Sequence, residues 1–261
     1  MFWTKSRSFG TVALGKAYRV FTASCISMAS LSFPLTATLA QAYPQAILQV
    51  SLEFPPSPDR GGVSSSAGGG TRGTGKTCTS GDIPLTALMP DEGNASTTVD
   101  AHPKFYTYIP ETTAEQAEFV LVDAVGDVVY QTDFTLPGKV GIISIGLPKD
   151  VALEVGEEYT WQFVLLCDPD EPSEIEFVQG TVTRTELSNE LKLKLESTKE
   201  PLEQAELLAG ERVWLDTLAL MTELRESNQK EWEQFLESEN LEKIASAPLT
   251  ACCSADSEPT E

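Results

Sequence analysis

Between Leu85 and Arg184 the apolar side chains come in short runs separated by turn residues, and within the runs they alternate with polar ones. That is the pattern of half-buried strands. Leu85 to Met89 is a short apolar segment closed by Pro90, and the aromatic-rich Phe105 to Ile109 is closed by Pro110. Phe119-Val120-Leu121-Val122 and Val128-Val129-Tyr130 flank Val125-Gly126-Asp127, which predicts a hairpin with a tight turn. Ile143, Ile145 and Leu147 share one face, as do Tyr159, Trp161 and Phe163. In Glu176 to Arg184, Phe177, Gln179, Thr181 and Thr183 lie on one side, and Val178, Val182 and Arg184 on the other. Short strands at roughly ten-residue spacing predict an antiparallel sandwich.

The period changes near Leu187. Leu187, Leu191 and Leu195 recur every four residues, and Pro201 opens a longer helix, with Leu207, Val213, Trp214, Leu218, Met221, Leu224 and Arg225 near one stripe. Glu231 to Phe235 and Leu241 to Ala245 predict one bent helix or two short ones, anchored by Trp232, Phe235 and Leu236, and Pro248 ends the region. The expected class is α+β: an N-terminal β-sandwich-like (immunoglobulin-like) antiparallel domain followed by an amphipathic α-helical C-terminal region that packs on a sheet or on itself.

The ends divide the chain further. Residues 1–42 carry Lys5, Arg7, Lys16 and Arg19 and no acid, then a mostly apolar stretch from Val20 to Ala40, then Ala40-Gln41-Ala42. This is an export signal, cut after Ala42 or, alternatively, Ala40. An uncleaved anchor is the competing reading, and the poor run before Cys25 argues against a lipoprotein site. Residues 43–77, rich in Gly, Pro and Ser, predict a flexible arm with a short strand at Ile47 to Phe54. The expected units are the signal 1–42, the arm 43–77, the sandwich 78–185, the helical region 186–248, and a cysteine pair with an acidic tail, 249–261.

Charge narrows the partners. Removing the 42 leading residues takes away four of the 18 basic side chains and none of the 39 acidic ones, leaving about −25. Nucleic acid and anionic lipid surfaces would be repelled, so no nucleic-acid binding is expected. Because no later segment approaches membrane-spanning length, no stable membrane insertion is expected after cleavage. Envelope proteins, glycans and divalent cations stay open as partners. The expected place is the periplasm or the cell surface.

Gly70 to Thr77 spell GTRGTGKT, a full match to the phosphate-cradling G-x-x-x-x-G-K-S/T pattern. Such a loop works only after a buried strand and at the start of a helix. Here a Ser/Gly stretch precedes it, and Cys78-Thr79-Ser80-Gly81-Asp82-Ile83-Pro84 follows, which carries no helix far. Gly70, Gly75, Lys76 and Thr77 are therefore read as a chance match, with no nucleotide and no other cofactor expected.

Four cysteines follow the signal: Cys78, Cys167, Cys252 and Cys253. In an exported chain they predict disulfides, with Cys78 and Cys167 joined to each other or to the adjacent tail pair. Zinc is the rival reading, and the long stretch between Cys78 and Cys167 argues against it. Asp168, Asp170 and Glu171 lack the ligand spacing of a calcium loop, and Pro169 and Pro172 fit a stiff acidic turn better. Asp216 falls four residues after Arg212, which suggests an ion pair along one helix. His102 is the only histidine, and no nucleophile elbow accompanies it. Tyr106, Tyr108, Tyr159 and Trp161 suit a sandwich core better than a sugar or peptide groove. No catalytic residue is assigned, and no metal ligand.

Several segments in order resemble the cyanobacterial family called domain of unknown function 928. They are Gly68 to Gly73, Cys78, Leu85 to Pro90, the cluster Pro103, Phe105, Tyr106, Tyr108 and Pro110, Glu118-Phe119, Tyr130 to Thr132, Pro137-Gly138 and Gly141-Ile142. Tyr159, Trp161, Cys167, Gly180, Arg184, Gly210, Trp214, Asp216 and Leu224-Arg225 continue the order. The resemblance covers about residues 60–250. It implies an exported protein and supplies no catalytic residues, and Gly75, Lys76 and Thr77 are not part of it. The expected role is a non-enzymatic interaction or structural protein of the envelope. A hydrolase using surface carboxylates on glycan or peptide is the alternative, and a calcium-responsive protein the third.

Overall fold

A computed structural model describes residues 52–55, 70–72, 77–90, 96–136 and 138–250. The segment expected to be an export signal, most of the arm, Gly75, Lys76, Cys252 and Cys253 lie outside them.

The strands form as the alternation predicts. One sheet runs β1 (Gly70–Arg72), β11 (Ile175–Arg184), β10 (Glu158–Leu166), β7 (Gln116–Asp123), β8 (Val128–Thr135), all antiparallel, with β4 (Thr97–Thr98) parallel to the end of β11. The second runs β3 (Thr86–Ala87), β5 (Lys104–Ile109), β9 (Gly141–Gly146). A two-stranded pair joins β2 (Thr79–Ser80) to β6 (Glu111–Thr112). The chain changes sheet after β5 and β8 and again after β9, so neighbours in sequence are often not neighbours in a sheet. This is the connectivity of an immunoglobulin-like sandwich.

The two inner faces meet at aromatic rings. Phe105 on β5 lies 5.2 Å from Phe119 on β7 and 5.5 Å from Trp161 on β10, centroid to centroid. Trp161 faces Gly180 across the β10–β11 ladder. A methyl group at Gly180 would stand 2.8 Å from Met89 Sδ and from Trp161 Nε1, so the indole and the thioether need a residue without Cβ there. Tyr106, Tyr108, Tyr159 and Trp161 are all buried. They serve as core.

Strand β5 is buried on both faces, and the second face receives the helices. These are α1 (Asn189–Ser197), α2 (Pro201–Gly210), α3 (Trp214–Leu224), α4 (Gln229–Glu237) and a 3-10 turn, Glu242–Ile244. Ser188 caps α1 by accepting the Leu191 N–H at 3.1 Å. Trp214 of α3 stacks on Phe235 of α4 at 4.9 Å and donates its indole N–H to the Leu88 carbonyl at 3.0 Å, which ties the helices to the sandwich. α+β is therefore the observed class, with one continuous apolar core shared by strands and helices.

Three expectations need correction. The long helix from Pro201 is two helices. Arg212 adopts φ 61°, its N–H bonds Ala209 O and the Val213 N–H bonds Leu208 O, a Schellman stop with a non-glycine residue in the left-handed position. Gly210 sits two residues too early to announce that stop. The arm is partly docked as well. Leu52 and Phe54 are 2% and 3% exposed, Phe54 meets Trp214 edge-on at 5.0 Å, and its N–H donates to Ser238 Oγ. Residues 52–55 form no strand, and Gly70–Arg72 do. Their partners lie more than a hundred residues away, where local composition carries no trace of them. The third correction concerns Asp216: α3 begins at Trp214, so no helical register links it to Arg212.

The C-terminal segment closes the free edge of β9. Ile142 donates to Pro248 O at 2.8 Å, and Thr250 donates to Ile142 O at 2.8 Å. Gly141, at φ 150°, makes room, because a Cβ there would stand 2.4 Å from Pro248 O. Arg225 and Trp232 hold the segment by donating to the carbonyls of Ala247 and Ala245.

Candidate functional site

The loop from β4 into β5 is shaped by its own short polar side chains. Thr98 Oγ1 accepts the Asp100 N–H at 3.1 Å, and Asp100 Oδ1 accepts the His102 N–H at 3.0 Å. Such local turns are what Thr and Asp favour outside regular structure. Arg184, at the end of β11, fixes the loop from behind by donating to the carbonyls of Val99 and Leu153. His102 Nε2 lies 3.1 Å from Lys149 O.

Asp216, in the first turn of α3, reaches this loop. Its Oδ2 accepts from the Thr98 hydroxyl at 2.7 Å and from the Val99 N–H at 3.1 Å. The two elements enclose a cleft of about 370 Å3. Leu208, Leu215, Ala219 and Leu220 give it an apolar wall, and Asp100, Asp216 and His102 a polar one. At the rim, Lys104 and Glu223 pair at 3.8 Å with both side chains more than half exposed, so the pair contributes little. Behind it, burial pushes the Tyr106 phenol well above its usual pKa, despite the opposing contact with Thr222.

Burial also raises the pKa of the Asp216 carboxyl. The hydrogen bonds from Thr98 and Val99 oppose the shift, and the charge of Asp100 adds to it. The folded value thus stands above the unfolded one, and between the two the native state holds more proton than the unfolded chain. Asp216 therefore contributes stability that is full below the ordinary carboxylate value and is lost as pH rises through the folded value. Asp216→Asn is expected to remove this part of the pH dependence. Urea unfolding from acidic to neutral pH checks it: wild type should lose stability relative to the variant as pH rises. A constant difference between the two would refute the assignment.

The sequence-derived candidates scatter. His102 does lie in a loop, and it lines the cleft. Asp168, Asp170 and Glu171 form an exposed turn, in which Asp168 Oδ1 accepts the Asp170 N–H at 2.9 Å. Cys78 and Cys167 are joined by a disulfide with Cα atoms 5.3 Å apart. Thr77 is exposed and is followed by β2 rather than a helix. Asp100, Lys104 and Glu223 gave no signal in the sequence, because ordinary acids and lysines become a site only by juxtaposition. Asp216 drew notice in the sequence through its spacing from Arg212, which does not point to the cleft.

Residues 67–249 match the family described as Domain of Unknown Function (DUF928). The chain belongs to that family. No curated protein matches it. Among solved structures, the chain is similar to the fn3 domain of the human collagen alpha-1(XX) chain, at 13% identity and a TM-score of 0.25, over 45% of this chain and 92% of that one. Among the described residues of this family member, no helix is long and apolar enough to cross a membrane.

Proposed function

We infer that this family member is a non-enzymatic binding module, exported to the periplasm or cell surface, that receives a basic segment of a partner envelope protein in the cleft between α3 and the β4–β5 loop. The cleft's composition carries the reading: two neighbouring carboxylates, Asp100 and Asp216, face an apolar wall of helical leucines. A lysine or arginine flanked by apolar side chains matches both walls, the cationic head against the acids and the stem or neighbour against the leucines. The net charge of −21 draws cationic partners toward the surface from a distance and speeds their encounter.

Fluorescence anisotropy with short labelled peptides of Lys, Arg and Leu tests this. Binding is expected to weaken with salt and to fall roughly tenfold in an Asp100→Asn, Asp216→Asn double variant, the loss of about 1.4 kcal/mol. Affinity unchanged in that variant, or no binding at millimolar peptide, would sink the reading. One observation favours the hydrolase alternative: a carboxyl with a raised pKa beside a second carboxylate is what a general acid needs. Turnover of chromogenic glycosides or peptides by wild type, abolished by Asp216→Asn, would establish that reading in place of the first.

A further inference from the structure

We propose that Cys78, Cys167 and Glu176 form a zinc site when the disulfide between the two cysteines is reduced. The proposal is independent of the cleft and rests on how the three residues are held. Candidate ligand atoms of all three lie within 4.8 Å of one another. In a tetrahedral zinc site with thiolate and carboxylate ligands, neighbouring ligand atoms are about 3.3–3.8 Å apart. Parting of the two sulfurs and a small closure of the carboxylate therefore convert one arrangement into the other.

Glu176 is an unusual residue for its position. It sits on β11 among inward-facing residues, is buried, and its carboxylate takes hydrogen bonds from the Cys78 N–H at 3.2 Å and the Thr79 hydroxyl at 2.7 Å. Both of these donors, a backbone N–H and a hydroxyl, are neutral. A buried carboxylate held by neutral donors and facing two sulfurs has the make-up of a metal ligand oriented by its surroundings. The sulfur-rich donor set selects zinc over calcium or magnesium.

The backbone around the cysteines is fixed by bonds other than the disulfide. The Cys78 carbonyl accepts the Thr113 N–H at 2.9 Å and the Thr112 hydroxyl at 3.0 Å. The Cys167 N–H donates to Glu174 O at 3.0 Å. Reduction therefore leaves two thiols facing each other beside the carboxylate. Access comes from a surface hollow of about 380 Å3, edged by Gly70, Thr71, Pro84 and Thr86, which reaches Glu176. The chemistry balances with a phosphine reductant and water. The S–S bond takes two electrons and two protons to give two thiols, and the phosphine becomes its oxide. Zn2+ then displaces both thiol protons, and water completes the fourth position.

The test uses the purified protein with Cys25→Ser, Cys252→Ser and Cys253→Ser, so that no other thiol binds metal. Oxidised and phosphine-reduced samples are equilibrated with Zn2+ and desalted, and bound metal is counted. Circular dichroism checks that both remain folded. One zinc per chain in the reduced protein and none in the oxidised one is expected. Glu176→Gln should weaken the affinity of the reduced protein at least tenfold. Co2+ in place of Zn2+ should show a charge-transfer band of two thiolates that is altered by Glu176→Gln. Reduced protein that retains no zinc, or a Glu176→Gln variant that binds as well as its parent, overturns the proposal.

Discussion

Trp214→Ala is expected to destabilise the protein by about 3–5 kcal/mol, the usual cost of emptying a large aromatic site in a core. Trp214 is fully buried, stacks on Phe235 at 4.9 Å and meets Phe54 edge-on at 5.0 Å. The residues before β1, the Leu88 carbonyl after β3, and α4 thus converge on this one indole of α3. Removal also leaves the Leu88 carbonyl without its indole donor, which adds about 1–3 kcal/mol if no water replaces it. The urea midpoint should drop while the slope m stays constant. Trp214→Phe separates the two contributions, since it keeps much of the ring packing and loses only the N–H, at an expected cost of about 1–2 kcal/mol. A loss below about 1 kcal/mol in Trp214→Ala would mean that the helices do not rest on the sandwich through this residue.

Breaking the disulfide should have a comparable effect by another route. Cys78→Ser, Cys167→Ser and the double variant are each expected to lose about 2–5 kcal/mol, and to agree with one another, because any one of them removes the bond. The bond spans 89 positions, so it excludes many extended conformations from the unfolded chain, and loop-closure entropy alone sets a value of roughly 4–5 kcal/mol. The unfolded chain expands without the link, so m should rise, unlike in Trp214→Ala. The Cys78 carbonyl still accepts from Thr112 and Thr113, and its N–H still donates to Glu176, so β2 and β6 should stay paired in the native variant. Equal stability of the variants and the parent would show that the bond constrains little.

Much of the sandwich was legible because alternation is a local property. Phe119 and Leu121 point inward on β7, and Tyr159, Trp161 and Phe163 on β10, wherever those strands end up in the sheet. The hairpin at Val125 to Asp127 was legible too, since Asp123 Oδ1 accepts the N–H groups of Val125 and Asp127 and Gly126 takes φ 93°. The helical stop at Arg212 was not, because a left-handed arginine is paid for by the burial of Val213 and Leu208, which no window of sequence reports. Leu52 and Phe54 were hidden in the same way, as an apolar pair inside a stretch whose composition otherwise predicts an arm.

The cleft was the least legible part. Asp216 suggested a surface ion pair, and its partners are Thr98 and Val99, more than a hundred residues earlier. Asp100 joins it only because Arg184 and Thr98 shape the intervening loop.

By itself, the sequence determined the order of strands before helices, the alternation within the principal strands, the strongly acidic charge and the resemblance to a family. All of these depend on residue type and on spacing within one element. Only the tertiary structure decided the partner of Cys78, the docking of Leu52 and Phe54, the junction between α2 and α3, and the meeting of Asp100 with Asp216 and of Glu176 with two sulfurs. Those are distances between segments, fixed by how one shared core fills, and the pattern along a chain does not contain them.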